Sequence, residues 1–212
     1  LICGKIKINN MAKKKIKILD SKTGYDIVSK DYDKMQNYLN SFEDEEVLAL
    51  IGDIEGKKIL DVGAGTGRLS IKMTDLGAIV TAIDVSSDML KILKRKNKNI
   101  ETVVGDAEDL PFDDSSFDIV TGAFLIVHLR DPKYFFKEAY RVLKPDGFLL
   151  VTNINQKEPP AVKTKEGDIK IESYYHVREN IKEKLEELAF DIKERIVSTS
   201  EVWVNQILKA KK

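Results

Sequence analysis

The chain has 212 residues, enough for one α/β domain with a sizeable core and too few for two ordinary ones. Hydrophobic residues make up 42% and charged residues 33%, the composition of a folding chain with a well-solvated surface. Lys plus Arg equals Asp plus Glu at 35 each, which removes any global charge argument for nucleic acid or an anionic membrane surface.

Residues 1–22 read as a flexible N-terminal extension, and 23–212 as a single domain. Leu1 to Asn10 lacks the apolar core and small-residue cleavage site of a secretory signal, and Met11-Ala12 has the form of an initiator. Met11 to Lys22 is Lys-rich without a sustained period. Cys3, the only cysteine, rules out a disulfide framework or a cysteine-based metal site and fits a reducing, cytoplasmic setting. No apolar run approaches the ~20 residues needed to span a bilayer.

Ser41, with acids behind it and Asp44 three residues on, has the form of a helix N-cap, and the apolar face of Val47, Leu48, Leu50 and Ile51 predicts a helix to about Gly52. Short apolar runs then alternate with amphipathic stretches. Lys58 to Val62 reads as a buried strand, Gly63 to Gly67 as a loop, and Arg68 to Leu76 as a helix stopped by Gly77. Ala78 to Ile83 is a second strand, followed by a helix capped at Ser86 or Ser87. Ile100 to Val104 and Phe117 to Thr121 are further strands. Asp131-Pro132 opens a helix carrying Phe135, Phe136, Ala139, Tyr140, Val142 and Leu143, and the turn at Lys144 to Gly147 leads into a fifth strand, Phe148 to Ile154. Such alternation predicts a doubly wound, mostly parallel sheet. After Ile154 come a short inserted hairpin near 161–175 and a helix around Val177 to Leu188. Two runs, Phe190 to Val197 and Val202 to Leu208, are linked too briefly for a crossover and should pair antiparallel.

The candidate chemistry gathers at the strand ends. Asp61-Val62-Gly63-Ala64-Gly65-Thr66-Gly67 puts a Gly-rich loop between a buried strand and a helix, where backbone can approach a ligand closely. Asp84 ends the next strand, where an acid can accept from ribose hydroxyls, and Gly105-Asp106-Ala107 ends the third. A plain strand-to-helix turn explains the loop alone, but not three acids at three successive strand ends. A nicotinamide dinucleotide is disfavoured, because Arg68 stands at the sixth position of its fingerprint and Asp61 sits awkwardly beside a diphosphate.

These residues resemble the class I methyltransferases, and among them the small enzymes similar to the ubiquinone and menaquinone C-methyltransferases. The resemblance covers about Tyr25 to Leu208 and includes Phe117-Asp118-Ile119-Val120 and Arg141 to Gly147. It implies a Rossmann-like, seven-stranded α/β sheet with a terminal antiparallel strand, and S-adenosylmethionine as cofactor. The cofactor would lie among Tyr32, Asp61, Gly63, Ala64, Gly65, Asp84, Val85, Met89, Asp106, Ala107 and Phe124. A stretch resembling an N-terminal cap holds Tyr25 and Tyr32 seven residues apart on one helix face, where they either meet cofactor or acceptor or dock the helix. Many relatives have two adjacent histidines after the fourth strand; here the pair is Val127-His128.

His128 reads as a candidate general base or as a rim or packing residue. Tyr25, His128, Asn153 and Asn155 are the candidates for contact with the acceptor, and His176 reads as a capping or surface residue. The cluster Lys91, Lys94, Arg95, Lys96 and Lys98 complements a helix C-terminus or, alternatively, holds RNA. The expected function is methyl transfer to an O, N or C nucleophile of a small molecule, with no metal. RNA or protein methylation and a non-catalytic cofactor-binding protein are the alternatives.

Overall fold

The computed structural model describes residues 16–35, 46–164, 167–199 and 202–212. In chain order the elements are β1 (Lys17–Leu19), α1 (Ser21–Tyr32), β2 (Lys58–Val62), α2 (Arg68–Asp75), β3 (Ile79–Asp84), α3 (Ser87–Lys96), β4 (Glu101–Val104), β5 (Phe117–Gly122), α4 (Lys133–Val142), β6 (Leu143–Ile154), β7 (Val162–Thr164), β8 (Gly167–Ile171), α5 (Arg178–Glu186), β9 (Asp191–Thr199) and β10 (Val202–Lys211). Of the helix expected from Ser41, residues 46–51 are helical with Val47 and Ile51 buried, whereas Ser41 to Asp44 lie outside the described residues.

The main sheet has seven strands in the order β4-β3-β2-β5-β6-β10-β9. β2 pairs in parallel with β3 and β5, and β10 is antiparallel to both β6 and β9. Strand side chains alternate between two buried layers. Leu60 and Val62 pack with Phe135, Phe136 and Leu149 on one face, while Ile59 packs with Leu69, Met73 and Leu93 on the other. Strands buried on both faces read as continuous apolar runs, which is why they were legible. Between β2 and β5 the strand order reverses, so the loops after these strands diverge and leave a crevice at the carboxyl edge.

Two elements differ from the sequence expectation. Lys17–Leu19 is no part of a flexible lead-in but a strand parallel to β8, with Leu19 buried against Ile169 and Ile171. A three-residue strand held by backbone pairing to a distant partner leaves no periodic signal. The hairpin β7–β8 forms as expected, and with β1 it makes a separate sheet, β1-β8-β7, that carries α1. β6 starts at Leu143, ahead of the expected Phe148, and absorbs the turn: Asp146 takes φ 64, a left-handed conformation that aspartate tolerates.

Candidate functional site

The crevice begins at the loop after β2. Gly65 has φ 56, and a β-carbon there would meet no atom within 4 Å, so its backbone borders open space. Gly67 caps α2 at φ 89, and a β-carbon would lie 2.2 Å from Leu93 Cδ1. Only glycine fits both the backbone and the packing there. The Gly65 N–H donates to Asp84 Oδ2 at 2.8 Å and the Ser86 N–H to Asp84 Oδ1 at 2.8 Å. Each carboxylate oxygen thereby keeps a lone pair for a ligand hydroxyl. Burial pushes the Asp84 carboxyl above its usual range, opposed by these two N–H groups.

Asp61 is buried at 3% exposure and accepts from Ser70 Oγ at 2.5 Å and Thr121 Oγ1 at 2.8 Å. Burial raises its pKa, against the two hydroxyls and the nearby Arg68 charge. The hydroxyls tie β2 to α2 and β5, so Asp61 braces the loop as well as lining the crevice.

Two adjoining cavities fill the edge. The larger, about 590 Å³ including its open mouth, runs from Asp84, Val85, Met89 and Ala107 to Leu125, Tyr25 and His128. The smaller, about 380 Å³, holds Asp61, Ala64, Thr66 and Arg68, and Tyr32, Gly63, Gly65 and Phe124 line both. The fit to an adenosyl sulfonium is direct: a carboxylate with spare lone pairs, apolar walls for a base, and open space over Gly65. Phe124 takes φ 55, a strained conformation for an aromatic residue. Its N–H is held by Thr152 Oγ1 at 2.9 Å, and its ring lies under the Arg68 guanidinium at 5.4 Å. Arg68, in the sequence a mismatch to the dinucleotide fingerprint, and Leu125 also line these cavities, and no local sequence pattern marks either as a site residue.

α1 lies across the crevice as a lid. Ser86 Oγ donates to Asp26 Oδ1 at 2.6 Å, and beyond the helix Thr66 Oγ1 donates to Asp33 Oδ1 at 2.6 Å, joined by Lys96. Desolvation opposes the Asp26 charge, but hydrogen bonds from Ser86 and Lys22 hold its carboxyl below the usual range. Tyr25 and Tyr32 share the inner face with centroids 5.8 Å apart, edge to face.

His128 stands at the far end, in a short helical turn, Ile126–His128. Its Nδ1 is 2.9 Å from the Glu172 carbonyl oxygen, and its Nε2 is 2.6 Å from the Tyr25 hydroxyl. A carbonyl oxygen only accepts, so Nδ1 carries the hydrogen and Nε2 accepts from Tyr25. Burial lowers the His128 pKa, against the Glu172 bond, and burial drives that of Tyr25 well above its ordinary value.

Other candidates fall elsewhere. Asp106 is exposed, accepts from the Glu108 N–H at 2.9 Å, and does not line the cavity, although Gly105 and Ala107 beside it do. The convergence of three acids is thus reduced to two. Asn153 is buried between strands, its amide donating to Gln206 Oε1 at 2.9 Å, and Asn155 lines neither cavity; burial in the β6–β10 pairing removes the first from any acceptor. His176 Nε2 donates to the carbonyls of Ile126 and Leu129 at 2.9 and 3.0 Å, clamping the turn that carries His128. In the lysine cluster, Lys94 reaches past the end of α3 to donate to the Lys98 and Ile100 carbonyls, Lys91 pairs with Asp88 at 2.6 Å, and Lys96 reaches Asp33. Among the described residues no helix is long and apolar enough to cross a membrane, and no group of three metal-binding side chains occurs.

A sequence family described as a methyltransferase domain matches residues 60–151. The chain is 38% identical over 135 residues to a demethylmenaquinone methyltransferase of Renibacterium salmoninarum, covering 62% of this chain and 57% of that protein. It is 35% identical over 164 residues to the demethylmenaquinone methyltransferase of Staphylococcus epidermidis, covering 72% of this chain and 68% of the relative. The chain therefore spans less than two thirds of the Renibacterium protein's length. Among solved structures, a SAM-dependent methyltransferase from Aquifex aeolicus superimposes with a TM-score of 0.66 at 25% identity, covering 86% of this chain and 97% of that one.

Proposed function

The chain belongs to the class I S-adenosylmethionine-dependent methyltransferases, and from that premise we propose that it transfers the cofactor's methyl group to a small hydroxyaromatic acceptor of the quinol kind. The observation that carries the reading is the Asp84 carboxylate, held by Gly65 and Ser86 with a lone pair left on each oxygen, in the wall of a largely apolar cavity. The acceptor class follows from the names of the relatives and suits the walls near Leu125 and Tyr25.

When bound, the cofactor supplies a methyl group already activated by its sulfonium charge. The chain's own contribution is then mainly positioning, worth several kcal/mol and up to roughly ten. Asp84 would hold the ribose, Val85, Met89 and Ala107 would flank the base, and Asp61 and Arg68 would face the amino-acid end. The lid helix would exclude water and bring Tyr25 over the acceptor.

Isothermal calorimetry with S-adenosylmethionine, beside NAD as a control, tests the cofactor. Transfer of a tritiated methyl group to 1,4-naphthohydroquinone tests the acceptor. Micromolar binding of the sulfonium alone, with label in the naphthol fraction, is expected. Binding of NAD instead would refute the cofactor, and an unlabelled acceptor beside bound cofactor would refute the quinol class.

A further inference from the structure

The hydrogen bonds around His128 have a direction. Glu172 fixes Nδ1 as the protonated nitrogen, so the Tyr25 hydroxyl donates outward to Nε2 over 2.6 Å. The hydroxyl oxygen keeps its own lone pairs, and both residues line the same cavity as Asp84. The cavity therefore presents an acceptor backed by a base. We propose that Tyr25 and His128 form a proton relay that takes the hydroxyl proton of the methyl acceptor. The inference rests on the methyltransferase reading and adds to it how the acceptor is activated.

The step balances. The acceptor's O–H bond breaks and its proton passes to Tyr25 Oη, while the proton already on Tyr25 passes to His128 Nε2. The electron pair released enters the aromatic ring and forms the new bond to the methyl carbon, at oxygen or at a ring carbon, as that carbon's bond to sulfur breaks and its pair stays on sulfur. A ring carbon regains aromaticity by returning its hydrogen to the oxygen. His128 ends as an imidazolium with Nδ1–H still on Glu172, so one positive charge leaves the sulfonium and one appears on the histidine, which then releases its proton to water. Because the Tyr25 pKa is raised and that of His128 lowered, the resting pair is a neutral phenol and a neutral imidazole, the form a relay needs.

The surroundings suit this role. Tyr32 packs edge-on against Tyr25, and the Asp84 carboxylate, in the same cavity, adds to the raised pKa of the Tyr25 hydroxyl. From the insert side, Glu172 faces His128 through its carbonyl while its carboxylate engages the Tyr174 hydroxyl. Tyr174 N–H donates to the Val127 carbonyl at 2.7 Å, and His176 holds Ile126 and Leu129. The turn bearing the histidine is thus fixed from outside, and within the cavity its Nε2 meets the Tyr25 hydroxyl.

Two readouts on the full chain decide the matter. The chain has 2 histidines, so an imidazole ¹⁵N–¹H spectrum needs no cofactor to report the tautomer, and His128→Gln assigns the signals. The relay predicts His128 protonated at Nδ1, with a titration midpoint below 6.5 that rises in Tyr25→Phe, since the donor favouring the neutral ring is gone. Protonation at Nε2, or an unmoved midpoint in Tyr25→Phe, would overturn it. Single-turnover methylation of 1,4-naphthohydroquinone from pH 5 to 9 supplies the second readout. Wild-type rate should follow the neutral fraction of His128. Tyr25→Phe and His128→Gln should each lose about a hundredfold, with that pH dependence abolished and cofactor affinity within about threefold. Wild-type rates and pH profiles in both variants would also overturn the relay. Failure of wild type to bind the cofactor would instead fall on the proposed function, leaving the histidine spectrum to decide the relay.

Discussion

The two ends of the crevice are built in different ways. At the Asp84 end, the main parts lie between Lys58 and Ala107: two adjacent parallel strands, the loop of Gly63, Gly65 and Gly67, and an acid tied to that loop by one N–H. At the Tyr25 end, α1, the turn at His128 and the residues after β8 come from three remote parts of the chain, and Tyr25 and His128 are 103 residues apart. The first end is rigid through local backbone geometry, whereas the second exists only while the lid helix is docked. Cofactor recognition is therefore expected to survive changes at the lid better than the lid's chemistry does.

The contrast breaks most sharply at Gly67→Ala. The change forces a left-handed residue and an overlap with Leu93, at a combined cost of about 2–4 kcal/mol. Thermal unfolding should show the loss, and a variant as stable as wild type would mean that the loop is not rigid. Asp84→Ala should come next, weakening S-adenosylmethionine by about 1.5–3 kcal/mol, or roughly 10- to 100-fold by calorimetry, with little loss of fold. At the other end, Asp26→Ala removes the bond from Ser86 and should speed amide hydrogen exchange across α1 by about 1 kcal/mol of opening free energy, leaving β2 and β3 protected. Uniform exchange throughout the chain would erase the distinction between the two ends.

How far each end was legible follows from the same contrast. The buried strands announce themselves by composition, and the glycines and Asp84 by spacing within one strand-loop-helix-strand unit. The lid left fewer marks. Lys17–Leu19 is a strand only because β8 offers a parallel edge, and the Tyr25–His128 bond depends on how the insert sets the Ile126–His128 turn. Asp106 misled for the opposite reason: its position at a strand end was right, but its side chain turns back to the Glu108 N–H, as aspartate readily does in a turn. Asn153 misleads because a polar residue near the carboxyl end of β6 has the look of a ligand contact, whereas its amide faces Gln206 of β10.

Two smaller effects sharpen the account. The folded His128 pKa lies below the ordinary value, so as pH falls through the usual histidine range the unfolded chain takes up the proton first and stability drops. Subtracting the melting curves of His128→Gln from those of wild type between pH 5 and 8 should isolate this loss from the opposite trend of Asp61 and Asp84, whose raised values favour the folded state as their carboxyls protonate. A difference that does not change with pH would mean that the histidine is solvated. Asp106→Ala should be the mildest change, shifting cofactor affinity by no more than about 0.5 kcal/mol, and a loss equal to that of Asp84→Ala would restore a third acid to the site.

The most direct measurement is a crystal structure of the chain soaked with S-adenosylhomocysteine, the demethylated form of the proposed donor. Its ribose hydroxyls should rest on the two Asp84 oxygens and its sulfur should face Tyr25 and His128. A nucleoside bound away from Asp84, or a sulfur turned from that tyrosine, would contradict the account.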